Sequence, residues 1–287
     1  MEESIVFFTK KITSENVVEI YKKLNANLNG NIAIKVHSEE KGNQNFLKPE
    51  FYKDIVSYLN ATVVECNTAY DGQRNKTELH QKLMNDHGWS KLYNVDILDE
   101  KEEISLPISN GKHIKENFVG KNIEKYDSLL IISHFKGHPM GGYGGALKNM
   151  SIGLASSHGK AYIHGAGDPQ KIWTAEHNSF LESMAEASSS IMEYRKGKLA
   201  FINIMCNMSV DCDCCAKAED PCMNDIGILA SLDPVALDQA CIDLVYKSSD
   251  KGKEHLIERI ESRNGKHTIE VANKLNIGSR KYNIIEF

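Results

Sequence analysis

The sequence predicts an α/β fold, with a mostly parallel sheet flanked by helices and two lobes around a crevice. Two observations carry this expectation. Short apolar runs alternate with longer amphipathic ones, the rhythm of strand–helix–strand units. One run, Ser128–Ser133 with Leu-Leu-Ile-Ile at its centre, is apolar throughout, as a strand buried on both faces must be. In chain order, Ser4–Thr9, Asn31–Val36 and Thr62–Cys66 are expected strands. The helices between them are Ser14–Leu28, with Ser14 as N-cap, and Pro49–Leu59, with Pro49 in the first turn. Lys76–His87, closed by Gly88, is a third helix. Asp99–Lys125 is polar and irregular, and marks the expected boundary between lobes 1–125 and 126–287, unless the two form one continuous domain. Beyond Ser133, helices are expected from about Ala146 to Ser157, over Thr174–Lys196, Asp233–Lys247, Lys253–Arg263 and His267–Leu275. Leu199–Met205, Ile226–Ala230 and Tyr282–Phe287 complete the strands.

The 287 residues are enough for one large core or two modest ones. The net charge of −5 and the lack of a Lys/Arg cluster on any one helix argue against a nucleic-acid partner. No apolar run approaches the roughly 20 residues that cross a bilayer, so no membrane partner is expected. Ile5–Phe8 is preceded by acids, the wrong charge order for a signal peptide, which makes a cytoplasmic location the expectation. In that compartment seven cysteines do not form a disulfide framework.

The chemistry concentrates in Ser133-His-Phe-Lys-Gly-His-Pro-Met-Gly-Gly-Tyr-Gly-Gly-Ala-Leu-Lys-Asn149, which leaves the carboxyl end of the buried strand. Ligands of open α/β sheets sit beyond such ends. Gly141, Gly144 and Gly145 let backbone amides approach a ligand, and the following helix aims its positive end at the same place. Lys136, Lys148 and Asn149, with His134 and His138, suit a small anionic ligand. A flexible turn with solvated histidines is the plain alternative; it sits poorly with so apolar a preceding strand. No phosphate-loop or dinucleotide fingerprint is present, so ATP and NAD are not indicated. A reference pKa near 6.5 makes His138 an expected acid/base, with His134 and Lys148 as further catalytic residues. Lys35 and His37 end the second strand, and Asn67, Tyr70, Asp71 and Arg74 follow the third. Both groups are expected to face the glycine segment's crevice, with Arg74 and His37 as ligand-binding residues.

Cys212, Cys214, Cys215 and Cys222 fall within eleven residues and form an expected site for a metal ion or iron–sulfur cluster. Their spacing is neither zinc-finger-like nor ferredoxin-like, and adjacent Cys214 and Cys215 do not readily point the same way. Asp211, Asp213 and Asp220 oppose thiolates unless a cation is present. Cys206 and Cys241 read as core residues. Asp233 fits an N-cap before Pro234. Asp225 and Asp238 are either metal-side partners or solvated, and His80 and His87 read as solvated.

Several segments together carry a resemblance: Lys35-Val-His37, Asn67-Thr-x-Tyr-x-Gly-x-Arg74, Ser133-His-Phe-Lys-Gly-His138, Gly144-Gly-Ala-Leu-Lys-Asn149, Asp211-Cys-Asp-Cys214 and Asp225-Ile-Gly-Ile with Asp233-Pro-Val-Ala-x-Asp238. Over nearly its whole length the chain resembles a widespread prokaryotic family of unknown function, usually labelled uncharacterised iron–sulfur centre proteins. Many members carry an inserted ferredoxin-like domain; here Gly165–Lys196 holds no cysteine. A more distant resemblance is to nickel-pincer-dependent lactate racemases. It rests on His138, Gly141 with Tyr143 and Gly144, Lys148, Gly153-Leu-Ala-Ser156 and His164, spaced ten (148 − 138) and sixteen (164 − 148) residues apart. That resemblance implies an acid/base role for His138, a cofactor-tethering role for Lys148, His164 as a metal ligand, and a nickel-containing cofactor. The racemase Asp-x-Thr-Arg-Pro motif has no counterpart in the N-terminal half. The expectation is an enzyme acting on a small anionic substrate with a metal or metal cofactor. The alternative is a non-catalytic metal or electron carrier.

Overall fold

The computed structural model describes residues 3–287; Met1 and Glu2, the start of the expected N-terminal stretch, lie outside the described residues. Eight strands form one sheet: β1 (Ser4–Thr9), β2 (Ile32–Lys35), β3 (Thr62–Glu65), β4 (Val95–Ile97), β7 (Ser128–His134), β10 (Leu199–Met205), β11 (Gly227–Ser231) and β12 (Tyr282–Glu286). Two small hairpins supply the rest, β5 (Glu103–Pro107) with β6 (Glu116–Gly120), and β8 (Lys136–His138) with β9 (Gly142–Gly144). The sheet order is β12-β1-β11-β10-β7-β2-β3-β4. All pairings are parallel except the two made by β11, with β1 and β10. Spans 1–125 and 126–287 both contribute strands to this one sheet.

Burial on both faces explains the unbroken apolar runs. Leu130 and Ile132 of β7 pack with Val17, Ile20 and Ile55, from helices α1 (Ser14–Leu24) and α2 (Lys53–Leu59). Leu129 and Ile131 face the other way, toward Leu147, Ala185 and Leu237. The remaining helices are α3 (Thr77–Asp86), α4 (Trp89–Leu92), α5 (Ala146–Ser151), α6 (Ser157–His164), α7 (His177–Tyr194), α8 (Pro234–Lys247), α9 (Lys253–Ser262) and α10 (Lys266–Lys274). None is long and apolar enough to cross a membrane.

Four local expectations are corrected. Helix α1 is capped by Thr13, whose side chain accepts from the Asn16 N–H, not by Ser14. The irregular stretch 99–125 contains the β5–β6 hairpin, and the glycine segment contains β8–β9. The helix expected over 146–157 breaks into α5 and α6 around Gly153, where a Cβ would lie 2.1 Å from the Asn149 carbonyl oxygen. Asp233 does cap α8, accepting from the Val235 and Ala236 N–H groups.

From β2 the chain runs outward through β3 to β4, and from β7 it runs the other way to β10. The border between β2 and β7 is therefore the topological switch point, where parallel sheets open a crevice at their carboxyl ends.

Candidate functional site

A cavity of about 490 Å³ occupies that crevice. Lys35 from β2, Glu65 from β3 with Cys66 just beyond it, and Ser133 and His134 from β7 form its floor. Arg74, Lys136, His138, Lys148, Asn149, Lys160 and His164 line its walls, with Cys212 and Cys214, while Pro139, Met140, Ile152, Ile172 and Trp173 form an apolar side. His37, Arg74, His138 and Lys148 thus share one cavity, as their places at strand ends imply.

Most of these polar groups are already engaged by the protein. Lys35 is buried, 2.7 Å from Glu65 Oε2 and 3.1 Å from Asn149 Oδ1. Asn149 in turn donates to the Ile132 carbonyl and the Ser133 hydroxyl, which pins α5 to the end of β7. Arg74 donates to Glu40 at 3.3 Å and to the Tyr70 hydroxyl at 3.0 Å. Lys136 is paired with Asp213 at 2.8 Å. Lys160 donates to the Ala155 carbonyl, and burial pushes its pKa down. Lys148 forms no hydrogen bond and no ion pair among the described residues, yet it lines the cavity. It is a half-buried cation in the cavity wall with no partner of its own among the described residues.

The cysteine loop owes its shape to Asp213. Burial alone would raise this carboxyl, but the charges of His134 and Lys136 outweigh that effect and hold it well below the usual carboxylate range. Asp213 points toward these partners, so its neighbours Cys212 and Cys214 turn toward the cavity. The Asn43 and Asn45 amides clasp the loop, donating to the carbonyls of Cys215 and Glu219 at 2.9 and 2.7 Å. His138 with Cys212 and Cys214 offers three ligand atoms within 4.8 Å of one another. The Cys212 hydrogen bond lowers the Cys214 pKa, but the Cys215 hydrogen bond and burial push it up, to about 11. Cys214 is a neutral thiol unless a cation joins it. Two thiols and an imidazole form a donor set for a transition metal such as zinc, nickel or iron, not for magnesium or calcium.

The four thiols expected to act together are not brought together. Cys215 does not line the cavity, and the Cys222 thiol donates to the Met208 carbonyl at 3.3 Å, by a separate surface pocket. Adjacent cysteines project to different sides of the chain, and Cys222 follows the loop's exit.

The histidines sort by what their nitrogens face. His134 has Nδ1 2.9 Å from Asp213 and Nε2 2.6 Å from the Cys206 carbonyl oxygen. Both contacts are hydrogen bonds only if both nitrogens donate, so its ring is used up holding the loop. His164 donates from Nδ1 to the Lys160 carbonyl at 2.7 Å and stacks on Phe180, leaving Nε2 with the lone pair. His37 lies 3.9 Å from Asp213, and its buried Nδ1 has no hydrogen-bond partner. Burial pushes the pKa values of His37, His138 and His164 down to about 4, so all three are neutral at pH 7.

Four further expectations change. The N-terminus of α5 is not free for a ligand, because Asp238 accepts from the Ala146 and Leu147 N–H groups at 2.8 and 3.0 Å. Asp238 is fully buried, not solvated, and also accepts from Tyr143 and Asn203. Gly144 and Gly145 line the cavity, whereas Gly141 turns its N–H to the His138 ring. A Cβ at Gly145 would meet Asp238 at 2.5 Å, so that glycine admits the cap. His80, expected to be solvated, is fully buried between Ser38 and Asn67. Sequence reasoning passed over Glu65, Cys66 and Trp173. A charged residue ending an apolar strand marks Glu65; nothing in the sequence marks Trp173.

Fold and cavity together define an α/β protein with a cation- and thiol-lined crevice at the switch point of its sheet. The chain belongs to the family described as Domain of unknown function (DUF362), which it matches over residues 32–243. No curated protein matches it. Among solved structures it is similar to the lactate racemase apoprotein from Thermoanaerobacterium thermosaccharolyticum. The identity is 15% and the TM-score 0.40, over 69% of this chain and 50% of that one. It is also similar to a protein from Thermotoga maritima at 13% identity and a TM-score of 0.44, over 91% of this chain and 58% of that one. The chain therefore spans between half and three-fifths of the length of these structures.

Proposed function

We propose that this protein is a metal- or metal-cofactor-dependent enzyme acting on a small anionic substrate. The observation that carries the reading is Lys148, an unpaired cation inside a cavity that also presents two thiols and the free Nε2 lone pair of His164. An unpaired cation in a cavity wall favours an anion by charge and by hydrogen bonding, and Lys160, which has a carbonyl and no carboxylate as its partner, adds to the positive field. Cys212 and Cys214 would hold the metal, or one edge of a metal-containing cofactor, and the group would supply Lewis-acid or redox chemistry when bound. His134 and Lys136 act through Asp213, by positioning those thiols. The spacing of His138, Lys148 and His164 shared with nickel-pincer racemases is in keeping with a nickel-containing cofactor.

The test is metal analysis of protein purified without oxygen, together with turnover of a panel of small hydroxy acids, read as inversion or oxidation at the carbon beside the carboxylate. Nickel or another single transition metal, with turnover lost on chelation, is the expected result. Iron with inorganic sulfide and no turnover would replace the proposal with an electron carrier. No metal and no turnover would leave only an anion-binding module.

A further inference from the structure

The turn after β8 folds back so that the N–H groups of Met140 and Gly141 both point at Nδ1 of His138, at 3.1 and 2.9 Å. Gly142, at φ +78°, makes this turn, and a side chain there would collide with Gly265. Two donors converge on one ring nitrogen, so that nitrogen must be the acceptor. Placing the proton on Nδ1 would leave both N–H groups facing a donor and without a partner. The proton therefore sits on Nε2, which faces Cys214 Sγ at 3.8 Å; one ligand atom from each of His138, Cys212 and Cys214 lies within 4.8 Å of the others.

We infer that His138 is fixed as a hydrogen-bond donor, giving its Nε2 proton to the cysteine sulfurs, and is neither a metal ligand nor a base. The three-atom group His138–Cys212–Cys214 satisfies metal-ligand distances but not proton polarity, and polarity decides. A metal-binding imidazole donates its second nitrogen's proton to an acceptor; His164 has that arrangement with the Lys160 carbonyl, and His138 has the reverse. The donor's target deepens the proposed function and rests on it: an N–H···S bond draws electron density from a thiolate, and such bonds tune thiolate-bound metals. The proton's position does not depend on that reading.

Two measurements test this. In protein labelled with ¹⁵N-histidine, the His138 ring, assigned by its loss in His138→Gln, is expected to show the Nε2–H tautomer at pH 7. An Nδ1–H pattern would overturn the inference. If His138→Gln does not fold, a neutron structure of the unaltered protein locates the same proton directly. For the second measurement, Co²⁺ is titrated into oxygen-free protein. His138→Gln is expected to bind Co²⁺ within about threefold of the unaltered protein, with the sulfur-to-cobalt absorption moved to longer wavelength. Cys212→Ser should lose tenfold or more. A tenfold loss in His138→Gln would make His138 a ligand and end the inference. If the unaltered protein takes up no Co²⁺, the metal reading fails, and the tautomer result alone decides the role of His138.

Discussion

At the scale of single residues, Lys148 differs from its neighbours because no group among the described residues bonds its ammonium. Lys35, Arg74 and Lys136 each have a carboxylate, and Lys160 has the Ala155 carbonyl. A charge-assisted hydrogen bond contributes about 1.5–3 kcal/mol, so Lys148→Met should weaken anion binding by roughly 10- to 150-fold. Its folding stability should stay level, since Lys148 makes no hydrogen bond or ion pair among the described residues that the substitution would break. Calorimetric titration with a small carboxylate and a urea melt separate the two effects. A loss of stability would mean that Lys148 has a structural role. Lys148→Arg keeps the charge but brings a larger, planar group beside Gly144 and Gly145, and is expected to bind poorly as well. That these residues share a cavity was legible in the sequence, because parallel strands end on one side. Which of them remain unpaired was not. The carboxylates that neutralise Lys35 and Lys136 are Glu65, 30 positions away, and Asp213, 77 away.

At the scale of elements, the loop carrying Cys212 and Cys214 is held from outside. Asp213→Asn leaves His134 and Lys136 facing a neutral amide, and breaking a buried charge pair costs about 3–5 kcal/mol. We expect a clear fall in the urea midpoint and faster alkylation of Cys212 and Cys214 under native conditions, with Cys66 still protected. Unchanged alkylation would show that the Asn43 and Asn45 amides suffice to hold the loop. Helix α5 has a similar dependence. It is six residues long, too short to persist alone, and Asp238 of α8 supplies its cap. Asp238→Ala should destabilise by about 2–4 kcal/mol, above the 0.5–2 of an exposed cap, because the N–H groups left behind are buried. The strands and long helices were readable from periodicity. The hairpins β5–β6 and β8–β9 were not, since strands of three to five residues, rich in glycine or charge, carry too short a pattern.

At the scale of the whole molecule, acid should unfold this protein early. His80 is buried with its pKa near 3, and His37, His138 and His164 sit near 4, all below the 6.5 of an unfolded histidine. The unfolded chain binds these protons first, so the stability they contribute is complete above pH 6.5 and is lost as pH falls toward 4, at about 1.4 kcal/mol per unit for each group. Asp238, raised to about 6 by burial, works in the opposite direction between pH 6 and 4 and offsets part of the loss. The urea midpoint is expected to drop across that range, less steeply in His80→Gln; a flat profile from pH 7 to 4.5 would show that these rings protonate inside the fold. The strand order has one more effect. The cavity takes Lys35 and Cys214 from positions 179 apart (214 − 35), so its walls close only once segments far apart in the chain have met. A fragment that lacks the cysteine loop lacks one wall of the cavity.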